Sequence, residues 1–296
     1  MKKKLYFLFC FFSFRVFSNS ALIEELHQQS PTDTSRLKST AGVGIGTILM
    51  DEATLLNPST LSFYNITSFY AQKRQTGITS SREMAPSGTN RESNVEEYNF
   101  ILSDSKAGVD ASARFSMLNA HEKGKLTQYA GALSSPLGAQ SAIGVSYVYQ
   151  EFKKDETKTL YRPITLGVHH VFSEAFSVGI IWKDALKDNK NLGIVGLGLQ
   201  YNFSDFFSFL ADVGGNPYQN IREKGYLGAA MQLRLYGDLY GRGGIKTHRG
   251  EKSQTVGVGL GWVQPRLVLE GSYSTKKFTQ NQTEIKDLGV SLSFRF

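Results

Sequence analysis

From residue 61 onward the chain alternates, in short runs, between bulky apolar and small or polar side chains. Val256, Val258, Leu260 and Trp262 are interleaved with Thr255, Gly257, Gly259 and Gly261, and Val195, Leu197, Leu199, Tyr201 and Phe203 with Gly196, Gly198, Gln200 and Asn202. Leu288, Val290, Leu292, Phe294 and Phe296 alternate in the same way with Gly289, Ser291, Ser293 and Arg295. Period two is the pattern of a β-strand whose two faces meet different surroundings. Such runs lie near 61–72, 94–103, 106–118, 126–134, 139–150, 160–172, 175–182, 192–203, 206–213, 225–236, 238–246, 255–263, 267–275 and 286–296. Each is close to the roughly 9 to 11 residues with which a tilted strand crosses a bilayer.

The connections alternate as strictly as the faces. Tight turns stand at Asp104-Ser105, Ser135 to Gly138, Ser173-Glu174, Ser204-Asp205, Gly237 and Gln264 to Arg266. Longer charged loops stand at Lys73 to Arg91, His121 to Lys125, Lys153 to Thr159, Lys183 to Asn191, Asn216 to Lys224, His248 to Ser253 and Lys276 to Glu284. This sorting predicts an all-β fold, a transmembrane antiparallel up-and-down β-barrel of about 14 strands with short periplasmic turns and longer outer loops. The bulky set is expected to face lipid. Trp182, Tyr201, Phe203, Trp262, Tyr273 and Phe296 fall near strand ends, where interfacial aromatics belong.

Composition explains why hydropathy alone misses such a protein. Mean hydropathy is negative, and beyond the first residues no run approaches the roughly 20 apolar residues of a spanning helix. Twenty-nine Gly, 20 Phe and 14 Tyr against seven Pro suit strands with small inward and bulky outward positions. Lys2, Lys3 and Lys4, an apolar run from Leu5 to Phe17 and the cluster Ser18 to Ala21 have the layout of a secretory signal peptide. Cleavage is expected after Ser20, with Ala21 as the alternative, which gives a leader over 1–20. The only cysteine, Cys10, lies in that leader, so no disulfide or thiolate chemistry is expected. Four of the 33 basic residues go with the leader, leaving 29 against 26 acidic, or +3. That balance does not argue for nucleic acid as a partner.

Residues 21–60 do not alternate. Leu22 to Gln29 can form a short helix, Pro31 to Ser39 is polar, and Ala41-Gly42-Val43-Gly44-Ile45-Gly46-Thr47 leads to Asp51, Thr54, Asn57, Pro58, Ser59 and Leu61. Asn-Pro makes a rigid turn whose Asn side chain can bond its own backbone. The glycine repeats do not open a helix after a strand and so are not read as a nucleotide loop. Placed just before a first strand, Asp51, Thr54, Asn57, Pro58 and Leu61 resemble the N-terminal motif of the FadL family of long-chain fatty-acid transporters, with Ser59 where that family usually has Ala.

The resemblance implies a plug, or hatch, over 21–60 inside a barrel over 61–296, with Asp51, Thr54, Asn57 and Pro58 as plug or gating residues. It implies a passive outer-membrane channel that captures small hydrophobic compounds and releases them sideways through a kinked strand. Candidate lumen-lining residues are Asp110, Arg114, Gln232, Arg234 and Glu270, which stand opposite the apolar positions of their strands. Phe294 and Phe296 are expected to act as an insertion signal read by the barrel-assembly machinery, with outer-membrane lipids and a hydrophobic ligand as the other partners. The alternative function is a structural or adhesive barrel that transports nothing.

No catalytic role is expected. His169 and His170 are adjacent on a strand and must face opposite ways, so only one can join Ser173 in the lumen. The same geometry weakens a metal site, and His27, His121 and His248 have no ligand spacing. No cofactor is expected.

Overall fold

A computed structural model describes residues 33–80, 91–106, 109–120, 124–154, 157–220, 224–279 and 283–296. The expected leader, the helix at Leu22 to Gln29, His27 and His121 lie outside these residues. The described strands are β1 (Thr67–Ser80), β2 (Arg91–Asp104), β3 (Asp110–Ala120), β4 (Gly124–Pro136) and β5 (Ser141–Lys154). They continue as β6 (Thr157–Tyr161), β7 (Ile164–Ser173), β8 (Phe176–Lys183), β9 (Ile194–Asn202) and β10 (Phe207–Gly215). The remainder are β11 (Tyr226–Tyr236), β12 (Leu239–His248), β13 (Ser253–Val263), β14 (Leu267–Phe278) and β15 (Thr283–Arg295).

Neighbours in sequence pair antiparallel from β1 to β6 and from β7 to β15, and β1 pairs with β15, so the sheet closes on itself. Both β6 and β7 pair with β5, one beyond the other, and together they make one stave, so the barrel has 14. No described helix is long and apolar enough to cross a membrane, and this chain would cross with strands.

Alternation decides the faces as expected. Val256, Val258, Leu260 and Trp262 are exposed on the outside, as are Val195, Leu197, Tyr201, Phe203, Leu288 and Val290, the last at 62%. An apolar band of this extent would be strongly unfavourable in water, at about 25 cal/mol per Å² of apolar surface, and is at home in lipid. Around the short-turn end the outward rings of Phe172, Phe176, Tyr201, Phe203 and Phe207 touch in series at 4.7 to 6.5 Å. Such a row is the aromatic girdle of a barrel interface.

Most strand ends shift by a few residues from the expected runs, and three departures bear on the site. The first strand was expected from Leu61, but Pro58–Phe63 is a 3-10 turn and β1 starts at Thr67. Leu61 is fully buried against Met50, Ala53 and Ala132, so its side chain belongs to the interior packing of the plug. Strand β1 also continues past the expected loop at Lys73, because β15 supplies a partner as far as Ser80. Finally, the run expected over 160–172 is interrupted at Arg162-Pro163.

Pro163 explains the interruption. It has no N–H to give a ladder, and it holds the preceding residue extended. The β5 side of the stave remains bonded, since Val148 N–H donates to the Pro163 carbonyl at 3.1 Å. On the other side β8 ends at Lys183, opposite Thr165. Beyond that level β6 has no strand partner among the described residues other than β5. The segment 184–193 lies against the break, with Ala185 N–H donating to Ile164 O at 3.0 Å and Arg162 N–H to Asp188 Oδ2 at 2.6 Å.

The wall is uneven in height. Strands β1, β2 and β5 have 14 residues each, whereas β8, β9 and β10 have eight or nine. Inside the tall side, Ile78, Val95, Leu118, Leu126, Phe152 and Ile285 pack together and fill the lumen near the long-loop end. Toward the middle lies a buried polar layer. Arg74 pairs with Glu97 and approaches Asp287 at 3.8 Å, and Arg114 bonds Asn99 Oδ1 at 2.8 Å and Gln128 Oε1 at 3.2 Å. The bore is therefore occupied on that side, and open space remains beneath the low rim.

Candidate functional site: the plug seat and its cavity

Residues 33–66 lie inside the barrel. Thr34 caps helix α1 (Ser35–Ser39) by accepting from Leu37 N–H, and the helix stops where Ala41 and Gly42 both take positive φ. Asn57 caps the 3-10 turn, its Oδ1 accepting from Ser59 N–H at 3.3 Å and Ser59 Oγ at 2.6 Å, which is the self-bonded Asn-Pro turn expected from sequence. Its amide then donates to Ile45 O at 3.2 Å and to Val168 O of β7 at 3.4 Å. Asn57 thus ties the two halves of the plug to each other and to the wall.

The plug sits on glycines. A Cβ at Gly144, Gly167, Gly179, Gly198, Gly244 or Gly257 would fall inside 3.0 Å of plug atoms, mostly backbone of Pro58, Ile45, Gly46, Thr40 and Lys38. Register groups the set in three pairs: Gly144 is paired with Gly167, Gly179 with Gly198, and Gly244 with Gly257. These small inward positions form a lane in which plug backbone meets wall backbone.

Polar contacts fix the plug within the lane. The Asp212 carboxylate on β10 accepts from Gly44 N–H at 2.8 Å and Ile45 N–H at 3.1 Å. Ser177 of β8 donates to Gly46 O at 2.7 Å, and Ser134 of β4 donates to Ser59 O at 3.0 Å. Lys38 Nζ meets Asp287 of β15 at 2.8 Å, and Ser35 N–H donates to the Tyr70 hydroxyl of β1 at 3.1 Å.

Of the expected plug residues, Asp51 accepts from Ser68 Oγ at 2.6 Å and Ser293 Oγ at 3.2 Å, joining the plug to the seam of β1 and β15. Pro58 rests on Gly144, and Thr54 is buried with no hydrogen-bond partner for its hydroxyl among the described residues. The expected lumen-lining residues are on inward faces, but none borders the main cavity. Asp110 accepts from Ser62 Oγ at 2.5 Å, Arg114 belongs to the buried polar layer, and Glu270 pairs with Arg242 at 2.7 Å. Gln232 Oε1 accepts from Arg242 Nε at 2.8 Å. Arg234 folds back onto its own hairpin, bonding Gly237 O and approaching Asp238 at 3.8 Å. Buried charges need partners, and Arg114 and Glu270 find theirs in the wall, whereas Arg234 is exposed at its hairpin.

His169 and His170 do face opposite ways. His169 is buried edge-on to Phe63 at 5.2 Å, and His170 Nδ1 lies 2.7 Å from Ser141 Oγ on the outer side. Asp212, Lys38, Asp287, Arg242 and Glu52 were missed from sequence. The usable signal for Asp212 was a lone carboxylate at an inward position of an otherwise apolar strand.

Above the plug, on its long-loop side and under the low rim, is a cavity of about 430 Å³. Its floor is plug: Leu37, Ala41, Ile45, Leu55 and Leu56. Its walls include Ile181, Leu192, Ile194 and Tyr226, and Lys183, Lys224 and Lys246 also border it. Tyr161, the last residue of β6 before the break, borders it. The lining is mixed: the apolar patch of Leu37, Ile45, Leu55, Leu56, Ile181 and Ile194 is faced by charged groups that include Lys38, Glu251, Lys276 and Asp287.

Glu52 gives the plug a titratable element. Its carboxylate accepts from Thr34 Oγ1 at 2.7 Å, and burial pushes its pKa from 4.5 up to about 7, against the attraction of Arg36 and with the help of Asp51 and Glu270. Burial raises Asp51 as well, opposed by its Ser68 and Ser293 hydroxyls. A carboxyl with a raised pKa favours the docked plug while it is protonated. The docked state is therefore at full strength below about pH 4.5 and weakens as pH rises through about 7, by roughly 3 kcal/mol for Glu52. Glu52→Gln is expected to remove this dependence. Hydrogen exchange of plug amides should slow markedly in the variant at pH 8 and be unchanged at pH 5.

No family model matches the sequence, and comparison with curated proteins gives no match. Solved structures do match. The monoaromatic hydrocarbon channel CymD aligns with a TM-score of 0.66 at 10% identity, over 89% of this chain and 97% of that one. The Pseudomonas putida toluene transporter TodX gives 0.66 at 9% and the Ralstonia pickettii toluene transporter TbuX 0.65 at 8%, each over 89% of this chain and 97% of that one. With its 14-stave barrel and its plug, the chain has the fold of the FadL-family hydrocarbon channels.

Proposed function

We propose that the protein is a passive outer-membrane channel for small hydrophobic compounds, with the plug as its closure and the long loops on the outer side. The observation that carries this reading is the position of the 430 Å³ cavity, which rests on the plug and reaches the broken stave at Tyr161. A cavity of 150 Å³ is enough to hold benzene, so this one has room for a substituted monoaromatic compound. The names of the similar solved structures, hydrocarbon channels and toluene transporters, point to the same chemistry.

In this reading a solute enters beneath the low rim over β8 to β10 and settles on Leu55, Leu56 and Ile181. It leaves through the wall between β6 and β8, where no strand ladder must be broken. Only segment 184–193 has to move, and it is held by Ala185 N–H on Ile164 O, Arg162 N–H on Asp188 Oδ2, Tyr218 Oη donating to Asp184 O at 3.0 Å and Asn216 Nδ2 donating to Lys190 O at 2.8 Å. Such hydrogen bonds contribute about 1 kcal/mol each net, which suits a segment that opens. Phe294 and Phe296, both exposed on the outside of the last strand, remain our proposed insertion signal.

The test is uptake of a radiolabelled monoaromatic hydrocarbon by cells whose lipopolysaccharide-covered outer membrane excludes it. Expression of the chain is expected to raise uptake several-fold, and Leu56→Trp, which fills the cavity floor, to abolish most of that gain. Equal uptake with and without the protein would overturn the reading.

A further inference from the structure

The outside of the tall wall is ordered in rows by strand register. Phe100, Phe115, Tyr129 and Tyr149 are successive cross-strand partners on β2 to β5, with Phe115 and Tyr129 in ring contact at 5.3 Å and Tyr129 and Tyr149 at 6.4 Å. Four residues further toward the long-loop end, about 13 Å along the strands, Lys125 is directly opposite Lys153, and Lys153 directly opposite Lys158. All three side chains are on the outer face; those of Lys153 and Lys158 are 61% and 48% exposed.

Like charges directly opposite one another destabilise a ladder, so three consecutive lysines require an anion. The described residues provide one carboxylate. Glu151, in the row between the aromatics and the lysines, meets Lys153 at 2.9 Å and Lys158 at 2.6 Å, and Tyr149 Oη donates to it at 3.2 Å. Lys125 has no ion pair among the described residues, and the hairpin tip, Asp155 and Glu156, lies outside them. Strands about 4.8 Å apart bring the three ammonium groups within reach of one multiply charged oxyanion.

Depth supplies the second half of the case. The aromatic row lies in mid-wall, whereas Lys125, Lys153 and Lys158 stand within two residues of the long-loop ends of β4, β5 and β6, the level at which a spanning strand leaves the acyl chains and lysine stems reach the charged layer. Given a barrel that spans the outer membrane, as proposed above, the lysine row stands at the level of headgroup phosphates in the outer leaflet.

We propose that Lys125, Lys153 and Lys158 form a binding site for the phosphate of an anionic lipid headgroup on the outside of the barrel. Glu151 positions two of the lysines and competes with the phosphate for them. The site is distinct from the lumen cavity, so loss of hydrocarbon uptake would leave it untouched.

The experiment uses the full chain in nanodiscs of zwitterionic lipid doped with a bis-phosphorylated glycolipid of the lipid A type, or with the same glycolipid after removal of its phosphates. Native mass spectrometry counts the glycolipid retained. The phosphorylated form is expected to be retained and the dephosphorylated form to be lost. K125Q/K153Q/K158Q should lower retention at least tenfold, whereas K106Q, at the opposite end of the wall, should not change it. E151Q should raise retention a few-fold, because two ammonium groups are released; a row that served only to pair with Glu151 would give no gain. Retention of both glycolipids alike, an unaffected triple variant, or complete displacement by millimolar inorganic phosphate, which would mark a free-anion site, would each overturn the lipid assignment.

Discussion

Gly179→Ala is expected to leave the barrel closed and its plug undocked. The added methyl would lie against the Ile45 carbonyl and the Asn57 amide, both inside 3.0 Å. Neither can swing away. Ile45 N–H is held by Asp212, and Asn57 caps its own turn. The wall itself gains from the change, because Ala is the better strand residue. Relief must therefore come from the plug, and Gly257→Ala, set against the Lys38 carbonyl five strands round the wall, should act in the same way. We expect planar-bilayer conductance to rise at least tenfold in either variant, with the thermal stability of the barrel within a few degrees of native. Gly271→Ala, with nothing within 4 Å of the new methyl, is the control and should conduct as the native protein does. Native conductance in both seat variants would show that the plug is not what closes the bore.

The second large effect is expected at Asp212. Its carboxylate is fully buried, and it accepts the N–H groups of Gly44 and Ile45 from a strand that otherwise presents apolar or small residues. Hydrogen bonds to a charged acceptor contribute about 1.5 to 3 kcal/mol each, and a buried N–H left without a partner costs a similar amount. Both N–H groups reach the same oxygen, Oδ2, so Asp212→Asn can keep the two bonds; Asp212→Ala removes the acceptor and leaves both buried donors without a partner, and docking should weaken by about 3 kcal/mol, roughly a hundredfold in the undocked population. Amide exchange at Gly44 and Ile45, read by mass spectrometry, should accelerate by that factor while exchange in the β-ladders stays native. Unchanged exchange at both amides would remove Asp212 from the docking machinery.

Much of the barrel was legible because lipid and lumen impose opposite demands on successive residues. Val256 to Trp262 and Val195 to Phe203 give both strand and face from the letters alone, and the alternation of tight turns with charged loops gives the count. Legibility failed where the two faces cease to differ. Lys73, Arg74, Gln75 and Thr76 are all polar, so the far end of β1 reads as loop, yet it is strand because β15 pairs with it. At Arg162-Pro163 the proline was visible, but alternation resumed on both sides and concealed a break that matters on one edge only. The site was less legible than the fold. Asn57-Pro58 declared its turn through a local bond, whereas the partnership of Gly44 with Asp212 spans 168 positions, and no local pattern records it. The inward polar groups at Arg114, Gln232 and Glu270 were recognisable as inward, but whether such a group lines open space or holds another group depends on packing.

The glycine lane separates two properties that most binding proteins must satisfy with the same side chains. Where the plug sits is decided by main chain against main chain. What it shows to the cavity is decided by Leu37, Leu55 and Leu56, whose side chains are not among the atoms nearest the wall glycines. The cavity floor can therefore be rewritten residue by residue without unseating the part that carries it, and a channel for one compound can be turned toward another by two or three substitutions in the plug while every strand of the barrel is left as it is.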